Sequence, residues 1–197
     1  MDDIVNDIIE IYSCTEPLKI REALAKHFTP SEDERKNNAE IPTPYALVDE
    51  MLLKIPEEYF QSVHATLEPC CGKGNFVLGI FERFFEGLSH IEDKIERCRV
   101  IIEECIFFTD IEPMNVCITQ MLLTYHAISC ISEDDSSWGD WDKVTEIMDF
   151  KYNMNVGDTL QLDPSSKWGV DKFGAVIGNP PYQKKNASGA SCHGKTN

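Results

Sequence analysis

The sequence predicts an α/β fold with a mostly parallel sheet that is covered by helices on both faces. Two observations favour this class, and a third argues against a membrane-spanning helix. Short apolar segments of β-rich composition alternate with helical segments from residue 63 onward. A glycine-containing turn follows the first of these segments, as it does in doubly wound sheets. No apolar run approaches the roughly 18 residues that a membrane-spanning helix needs.

The first 40 residues are predicted to form a helical region and a linker, ahead of a core at 41–197. Apolar residues recur at helical spacing over residues 3–27, with a break at Pro17. Residues 31–40 are polar and charged, which is typical of a linker. An amphipathic helix then begins, with Thr43 as its N-cap and Pro44 as its first residue.

The core is predicted to contain four strands with helices between them. The predicted strands are VHATLE at 63–68, CIFFTDI at 105–111, NMNVGD at 153–158 and FGAVIGN at 173–179. The predicted helices span 76–87, 89–104 and 113–128, and the acidic stretch 131–142 is predicted to be a surface excursion. Because the carboxyl ends of parallel strands share one edge, a ligand is expected at that edge.

The turn after the first predicted strand reads EPCCGKGNF, at 68–76. Its two glycines allow the backbone to approach a ligand closely. Val77 stands where a dinucleotide fingerprint has its third glycine, so a pyrophosphate ligand is not favoured. Taken alone, the pattern is equally compatible with a plain tight turn.

Acidic residues follow the second and third predicted strands. Asp110, in FTDIEP, can accept hydrogen bonds from both hydroxyls of a ribose, although an acid before Pro113 also suits the start of a helix. Asp158, in NVGD, can accept a hydrogen bond from the exocyclic amine of adenine or serve as a turn aspartate.

The most specific motif is GNPPY at 178–182. Its two prolines fix φ and hold the chain rigid. The side-chain carbonyl of Asn179 and the main-chain carbonyl of Pro180 can both accept hydrogen bonds from one amino group. Tyr182 offers a flat face on which a planar base can stack. These residue types at the end of a strand favour a base-binding turn over an ordinary proline-rich one.

In this order, and preceded by PTPYALVDEML, the motifs EPCCGKGNF, FTDIEP, NVGD and GNPPY resemble those of S-adenosylmethionine-dependent DNA methyltransferases. The NPPY motif is similar to that of the branch that methylates adenine at N6, and the early Thr-Pro segment resembles the gamma order of motifs. The resemblance covers roughly residues 40–183. It implies a Rossmann-like class I methyltransferase core, S-adenosyl-L-methionine as cofactor, double-stranded DNA as substrate, and a place in a restriction-modification system.

The resemblance also implies roles for individual residues. Thr43, Pro44, Glu68 and Gly72 would contact the methionine end of the cofactor, Asp110 would hold the ribose, and Asp158 would bind the adenine, with Thr159 or Leu160 nearby. The implied cofactor-binding set comprises Thr43, Pro44, Glu68, Pro69, Gly72, Gly74, Asp110, Ile111, Asp158, Thr159 and Asn179. The implied target-base set comprises Asn179, Pro180, Pro181 and Tyr182.

In the family, further strands, a second aromatic clamp and a recognition domain follow the NPPY motif. The resemblance therefore implies a core that is incomplete at its C-terminal side, with target recognition supplied by a missing region or a second polypeptide. The fourth strand would then be an apolar edge.

Composition limits the remaining possibilities. The net charge of −16 argues against broad nonspecific nucleic-acid binding by the whole chain, whereas residues 167–197 hold five lysines against one aspartate, a local charge of +4. The five histidines and eight cysteines show no metal-ligand spacing, so no metal is predicted. The acidic start lacks the pattern of a secretory signal, and the cysteines are typical of reduced thiols, so an intracellular protein is expected (cytoplasmic, or inside the host cell if viral), with no membrane partner.

Two alternative functions stay open at this point. One is N-methyl transfer to RNA or to a protein amide, because NPPY also occurs in such enzymes. The other is a non-catalytic fragment that binds the cofactor or a partner subunit.

Overall fold

The computed structural model describes residues 43–131 and 141–180. Within these ranges four strands form one parallel sheet in the order β3-β2-β1-β4. The strands are β1 (Thr66–Glu68), β2 (Ile106–Asp110), β3 (Asn153–Val156) and β4 (Ala175–Val176). The predicted α/β class and parallel sheet are confirmed, with strands shorter than the apolar runs that predicted them.

Helices connect the strands. They are α1 (Tyr45–Leu52), α2 (Glu57–Phe60), α3 (Asn75–Gly87), α4 (Lys94–Val100), α5 (Pro113–Ile131), α6 (Trp141–Met148) and α7 (Pro164–Trp168). A π-helical turn at Ile101–Cys105 leads from α4 directly into β2, and a 3-10 turn at Thr159–Gln161 follows β3. The short α2, α6 and α7 are not among the predicted helices.

The core lies between the sheet and helices α1, α3 and α5. All five residues of β2 are buried, which fits a strand with neighbours on both sides. Helix α3 buries Phe81 and Phe84 completely, and Phe60 of α2 meets Phe84 edge to face with ring centroids 5.0 Å apart. Contrary to the expectation that no apolar run is long enough, helix α5 could cross a membrane by length and composition alone. However, 61% of its apolar 18-residue window is buried inside the fold, as in the core helix of a globular domain.

Strand β4 forms one edge of the sheet within the described part of the chain. It pairs with β1, where Leu67 lies beside Val176, and the side chain of Val176 is 62% exposed. The expected apolar edge at the fourth strand is therefore present in these residues.

Several predictions fall on residues that the structure does not describe. The N-terminal helical region and linker at 1–40 lie outside the described residues, and so do most of the acidic excursion at 131–142, Pro181, Tyr182 and the lysines beyond residue 180.

Gly87 provides a test of the packing between α2 and α3. A Cβ at Gly87 would collide with the main-chain carbonyl of Phe60, whereas a Cβ at Gly79 would meet the end of the Leu52 side chain, Cδ1, at 2.7 Å. We expect Gly87→Ala to destabilise the fold by roughly 1–3 kcal/mol, because a main-chain group cannot move aside cheaply. Gly79→Ala should cost less, since a side chain can rotate and alanine favours the helix. Urea unfolding of both variants, with the exposed Glu86→Ala as control, measures the difference; equal losses for both glycines would contradict it.

Candidate functional site

The carboxyl ends of the strands carry four segments that meet at one edge of the sheet. The segment after β1 contains the glycine turn, Asp110 ends β2, Gly157 follows β3, and Gly178 and Asn179 follow β4. The Asp110 carbonyl accepts a hydrogen bond of 2.9 Å from the Gly157 amide. This convergence is what a parallel sheet imposes, and it brings together motifs that lie more than 100 residues apart.

The glycine turn is fastened to the end of β2. Gly72 has φ of +52°, a left-handed conformation that glycine adopts without steric cost, and its amide donates to Asp110 Oδ2 at 2.8 Å. No atom lies within 4 Å of where a Cβ of Gly72 would stand, so the turn faces open space. Gly74, with φ of +93°, is the N-cap of α3 and packs closely on Thr119 of α5.

Asp110 is held from several directions. Its Oδ1 accepts from the Glu112 amide at 2.9 Å and from Asn115 Nδ2 at 3.4 Å, and its Oδ2 accepts from Gly72. The carboxylate is only 9% exposed, whereas the next side chain, Ile111, is 75% exposed. A fixed carboxylate and an uncovered apolar side chain therefore lie side by side at the same edge.

Glu68 is the most buried acidic group at this edge, with 1% of its surface exposed. Its Oε1 accepts from the Cys70 amide at 3.1 Å, and Oε2 has no hydrogen-bond partner within the described residues. Burial raises the pKa of Glu68 to about 8, which the bond from Cys70 partly opposes. A Cβ at Gly178 would collide with this carboxyl group, so Glu68 packs directly on the turn after β4.

Thr43 and Asn179 lie in contact although 136 residues separate them. Asn179 Nδ2 donates to Thr43 Oγ1 at 3.1 Å, and Asn75 Nδ2 donates to the Thr43 carbonyl at 2.8 Å. The prediction of Thr43 as helix N-cap is wrong: the N-cap of α1 is Pro44, no side chain caps the helix, and the first helical residue is Tyr45. The Thr43 hydroxyl binds Asn179 instead of the first turn of α1.

Asp158 and Thr159 lie after β3. Asp158 is exposed and caps the 3-10 turn, accepting from the Leu160 amide at 3.0 Å and from Gln161 Nε2 at 3.1 Å. Thr159 Oγ1 donates to the Pro69 carbonyl at 2.5 Å, which ties this turn to the segment after β1. Leu160 is 94% exposed.

The structure thus brings most of the predicted site residues to one edge, and the roles assigned to them stay predictions. Pro180 is described and exposed, whereas Pro181 and Tyr182 lie outside the described residues. Three residues at the site were not predicted: Asn75, Asn115 and Thr119, whose Oγ1 donates to the Gly72 carbonyl at 3.1 Å. No sequence pattern marks Thr119 or Asn115, because both reach the site only through the packing of α5.

The thiols of Cys70 and Cys71, in the turn after β1, are packing groups and not nucleophiles. Burial raises the pKa of Cys70 and of Cys71 far above the ordinary value, so both remain protonated at neutral pH. Within the described ranges no group of three or more His, Cys, Asp or Glu side chains is placed to hold a metal.

Glu68→Gln tests the cost of burying the Glu68 carboxyl group. Because the pKa of Glu68 is about 8 in the folded chain and 4.5 for the free group, the folded state binds more protons than the unfolded state between these values. The stability of the wild type should therefore fall as pH rises from about 4.5 to about 8, whereas glutamine carries no such penalty. We expect the free energy of unfolding of Glu68→Gln, relative to wild type, to rise by on the order of a few kcal/mol across this range.

Chemical denaturation at pH 5, 7 and 8.5 measures this difference. Glu58→Gln, an exposed residue of α2, is the matched control and should show no such trend. A stability difference for Glu68→Gln that does not change with pH would contradict the raised pKa.

One family model matches part of the chain. Residues 104–196 match the family model of the Eco57I restriction-modification methylase. This match includes the end of β2 with Asp110 and the whole GNPPY motif, but not the glycine turn. No curated protein matches the chain.

A solved structure supports the fold. It is a modification subunit assigned to a type I restriction enzyme of Vibrio vulnificus YJ016, with a TM-score of 0.54 and 18% sequence identity. The likeness covers 90% of this chain and 31% of that subunit, so the chain spans about a third of its neighbour's length. At this identity the likeness shows a shared Rossmann-like α/β fold. The family match confirms the resemblance that the motifs indicated: in residues 104–196 this chain is similar to the restriction-modification methylases.

Proposed function

We propose that this chain is the catalytic part of an S-adenosylmethionine-dependent methyltransferase that modifies the N6 amine of adenine in DNA, within a restriction-modification system. The observation that carries the proposal is the position of Asn179. The first residue of NPPY lies against Thr43, at the same edge as the glycine turn and Asp110. The family match over residues 104–196 supports the class of reaction.

The residues at this edge fit the proposed cofactor. The space beside Gly72 is open, the Asp110 carboxylate is fixed next to it, and Glu68 Oε2 is a buried polar atom with no hydrogen-bond partner among the described residues. Asp110 would accept from the ribose hydroxyls, Ile111 and Leu160 would cover the adenine ring, and Glu68 would face the methionine end. When bound, S-adenosylmethionine supplies an electrophilic methyl group.

The chain's own residues would bind and orient the target amine. The Asn179 side-chain carbonyl and the Pro180 main-chain carbonyl would accept its two hydrogens, which directs the nitrogen lone pair away from the purine ring. The rigid prolines keep these acceptors in place, so that little reorganisation is needed as positive charge develops on the nitrogen. Tyr182 would stack on the extruded base, with about 1–3 kcal/mol of stacking to offset unpairing.

Duplex DNA is the proposed partner, and a target-recognition region from a further segment or polypeptide is proposed with it. The net charge of −16 does not favour DNA contacts across the whole surface. Of the five lysines in residues 167–197, Lys167 and Lys172 are described and exposed, and Lys172 precedes the amino end of β4, at the other end of this strand from Asn179. The likeness covers only 31% of the structural neighbour, which is consistent with a recognition region outside this chain.

The decisive experiment offers methyl-labelled S-adenosylmethionine together with adenine-rich duplex DNA, RNA or protein. We expect label in DNA alone, and N6-methyladenine after digestion. A duplex in which the adenines are already N6-methylated is the control and should accept far less. Transfer to RNA or protein would establish the first alternative, and cofactor binding without transfer to any of the three would favour a fragment that is inactive on its own.

Asp110→Ala should weaken cofactor binding. Removing the carboxylate deletes the acceptor for the ribose hydroxyls and releases the Gly72 amide, so we expect an affinity at least tenfold lower by titration calorimetry. Asp149→Ala, an exposed aspartate after α6, is the matched control. Unchanged affinity in a folded Asp110→Ala protein would contradict the assigned role.

Asn179→Ala should separate chemistry from cofactor binding. We expect methyl transfer to fall by about 100-fold or more, because one of two fixed acceptors for the amine is lost, while cofactor affinity changes little. Single-turnover transfer and calorimetry on the same preparation measure the two effects. Asn179 also belongs to the cofactor-binding set that the resemblance implies, and a loss of cofactor binding equal to the loss of transfer would make this its main role.

A further inference from the structure

Thr43 contacts the proposed catalytic residue through its side chain. Its hydroxyl oxygen accepts from Asn179 Nδ2 at 3.1 Å, and Thr43 is only 7% exposed. Helix α1 begins at Tyr45 with Pro44 as its N-cap, so the Thr43 hydroxyl does not cap this helix. The side chain therefore makes a long-range hydrogen bond with the turn after β4 and no capping hydrogen bond to α1.

The main chain of Thr43 is also fixed. Asn75, the first residue of α3, donates from Nδ2 to the Thr43 carbonyl at 2.8 Å. Because α3 begins at the glycine turn and has seven buried residues, this bond ties the segment before α1 to the core. Thr43 is thus a fixed group to which the Asn179 amide can be anchored.

From these contacts we infer that Thr43 is a positioning residue for methyl transfer, which orients the Asn179 amide by accepting a hydrogen bond from its nitrogen. In this orientation the amide carbonyl lies at the opposite end of the group, and it would be the acceptor for the target amine. If the amide were reversed, its NH2 group would meet the amine of the base, donor against donor. This inference rests on the proposed function, because it assigns Asn179 the task of binding the target amine.

Thr43→Val tests the inference, since valine has nearly the same shape and no acceptor. We expect kcat for DNA methylation to fall about five- to tenfold, as for one lost hydrogen bond, with less than a twofold change in cofactor affinity. Thr43→Ser keeps the oxygen and should restore most of kcat. Thr124→Val is the matched control: it removes hydrogen bonds to Gln120 and Tyr152 away from the site and should leave kcat unchanged.

A double-mutant cycle distinguishes positioning from an independent contribution. If Thr43 acts through Asn179, Thr43→Val should cost nothing further in the Asn179→Ala background. The same loss in both backgrounds would overturn the inference. A weaker cofactor affinity with unchanged kcat would also overturn it, because Thr43 would then act on the cofactor.

Nuclear magnetic resonance keeps the inference testable if the wild-type chain transfers no methyl group. In the 15N-labelled full chain, one Asn179 side-chain amide proton should exchange slowly in wild type and in Thr43→Ser, and at least tenfold faster in Thr43→Val. Equal exchange in wild type and Thr43→Val would overturn the inference whatever the activity. Absence of transfer together with the expected exchange pattern would overturn the proposed function, while the hydrogen bond from Asn179 to Thr43 would stand.

Discussion

The arrangement of this edge of the sheet depends on the side chain and carbonyl of Asp110. Its carboxylate accepts from the Gly72 amide, which fixes the turn after β1, and its carbonyl accepts from the Gly157 amide, which fixes the turn after β3. One residue at the end of a fully buried strand thus sets the positions of both neighbouring loops. Hydrogen bonds to an ionised carboxylate at low exposure are among the stronger ones in proteins.

The acidic character of the site has a physical consequence for the ligand. Glu68 and Asp110 lie close enough for the Asp110 charge to add to the effect of burial on the pKa of Glu68. Two carboxyl groups with little access to water favour a cationic ligand over an anionic one, because a positive charge would lower the cost of ionising Glu68. S-adenosylmethionine carries a sulfonium and an ammonium group, so the proposed cofactor agrees with the electrostatics of the edge.

The sequence predicted the parts of the fold that local patterns determine. Strands β1 to β4 were recognisable as apolar runs that end in turn residues, and the glycine turn as the link between a strand and a helix. Helix α7 carries a readable signal that was missed: Asp163 as N-cap, Pro164 as first residue and Gly169 in the left-handed conformation after the end. In contrast, the bond between Thr43 and Asn179 and the approach of Thr119 to Gly72 arise from packing between distant segments, which no local pattern records.

The π-helical turn at Ile101–Cys105 joins α4 to β2 without an intervening loop. Such turns contain one residue more than an α-helical turn of the same rise. Ile101, Ile102 and Cys105 of this turn are all buried directly before the strand begins. No loop residue separates this turn from β2 that could absorb a change in length. Deletion of one residue would therefore shift β2 by one position and exchange the side chains on its two faces. We therefore expect insertions and deletions at this joint to be more damaging than changes in the exposed turns.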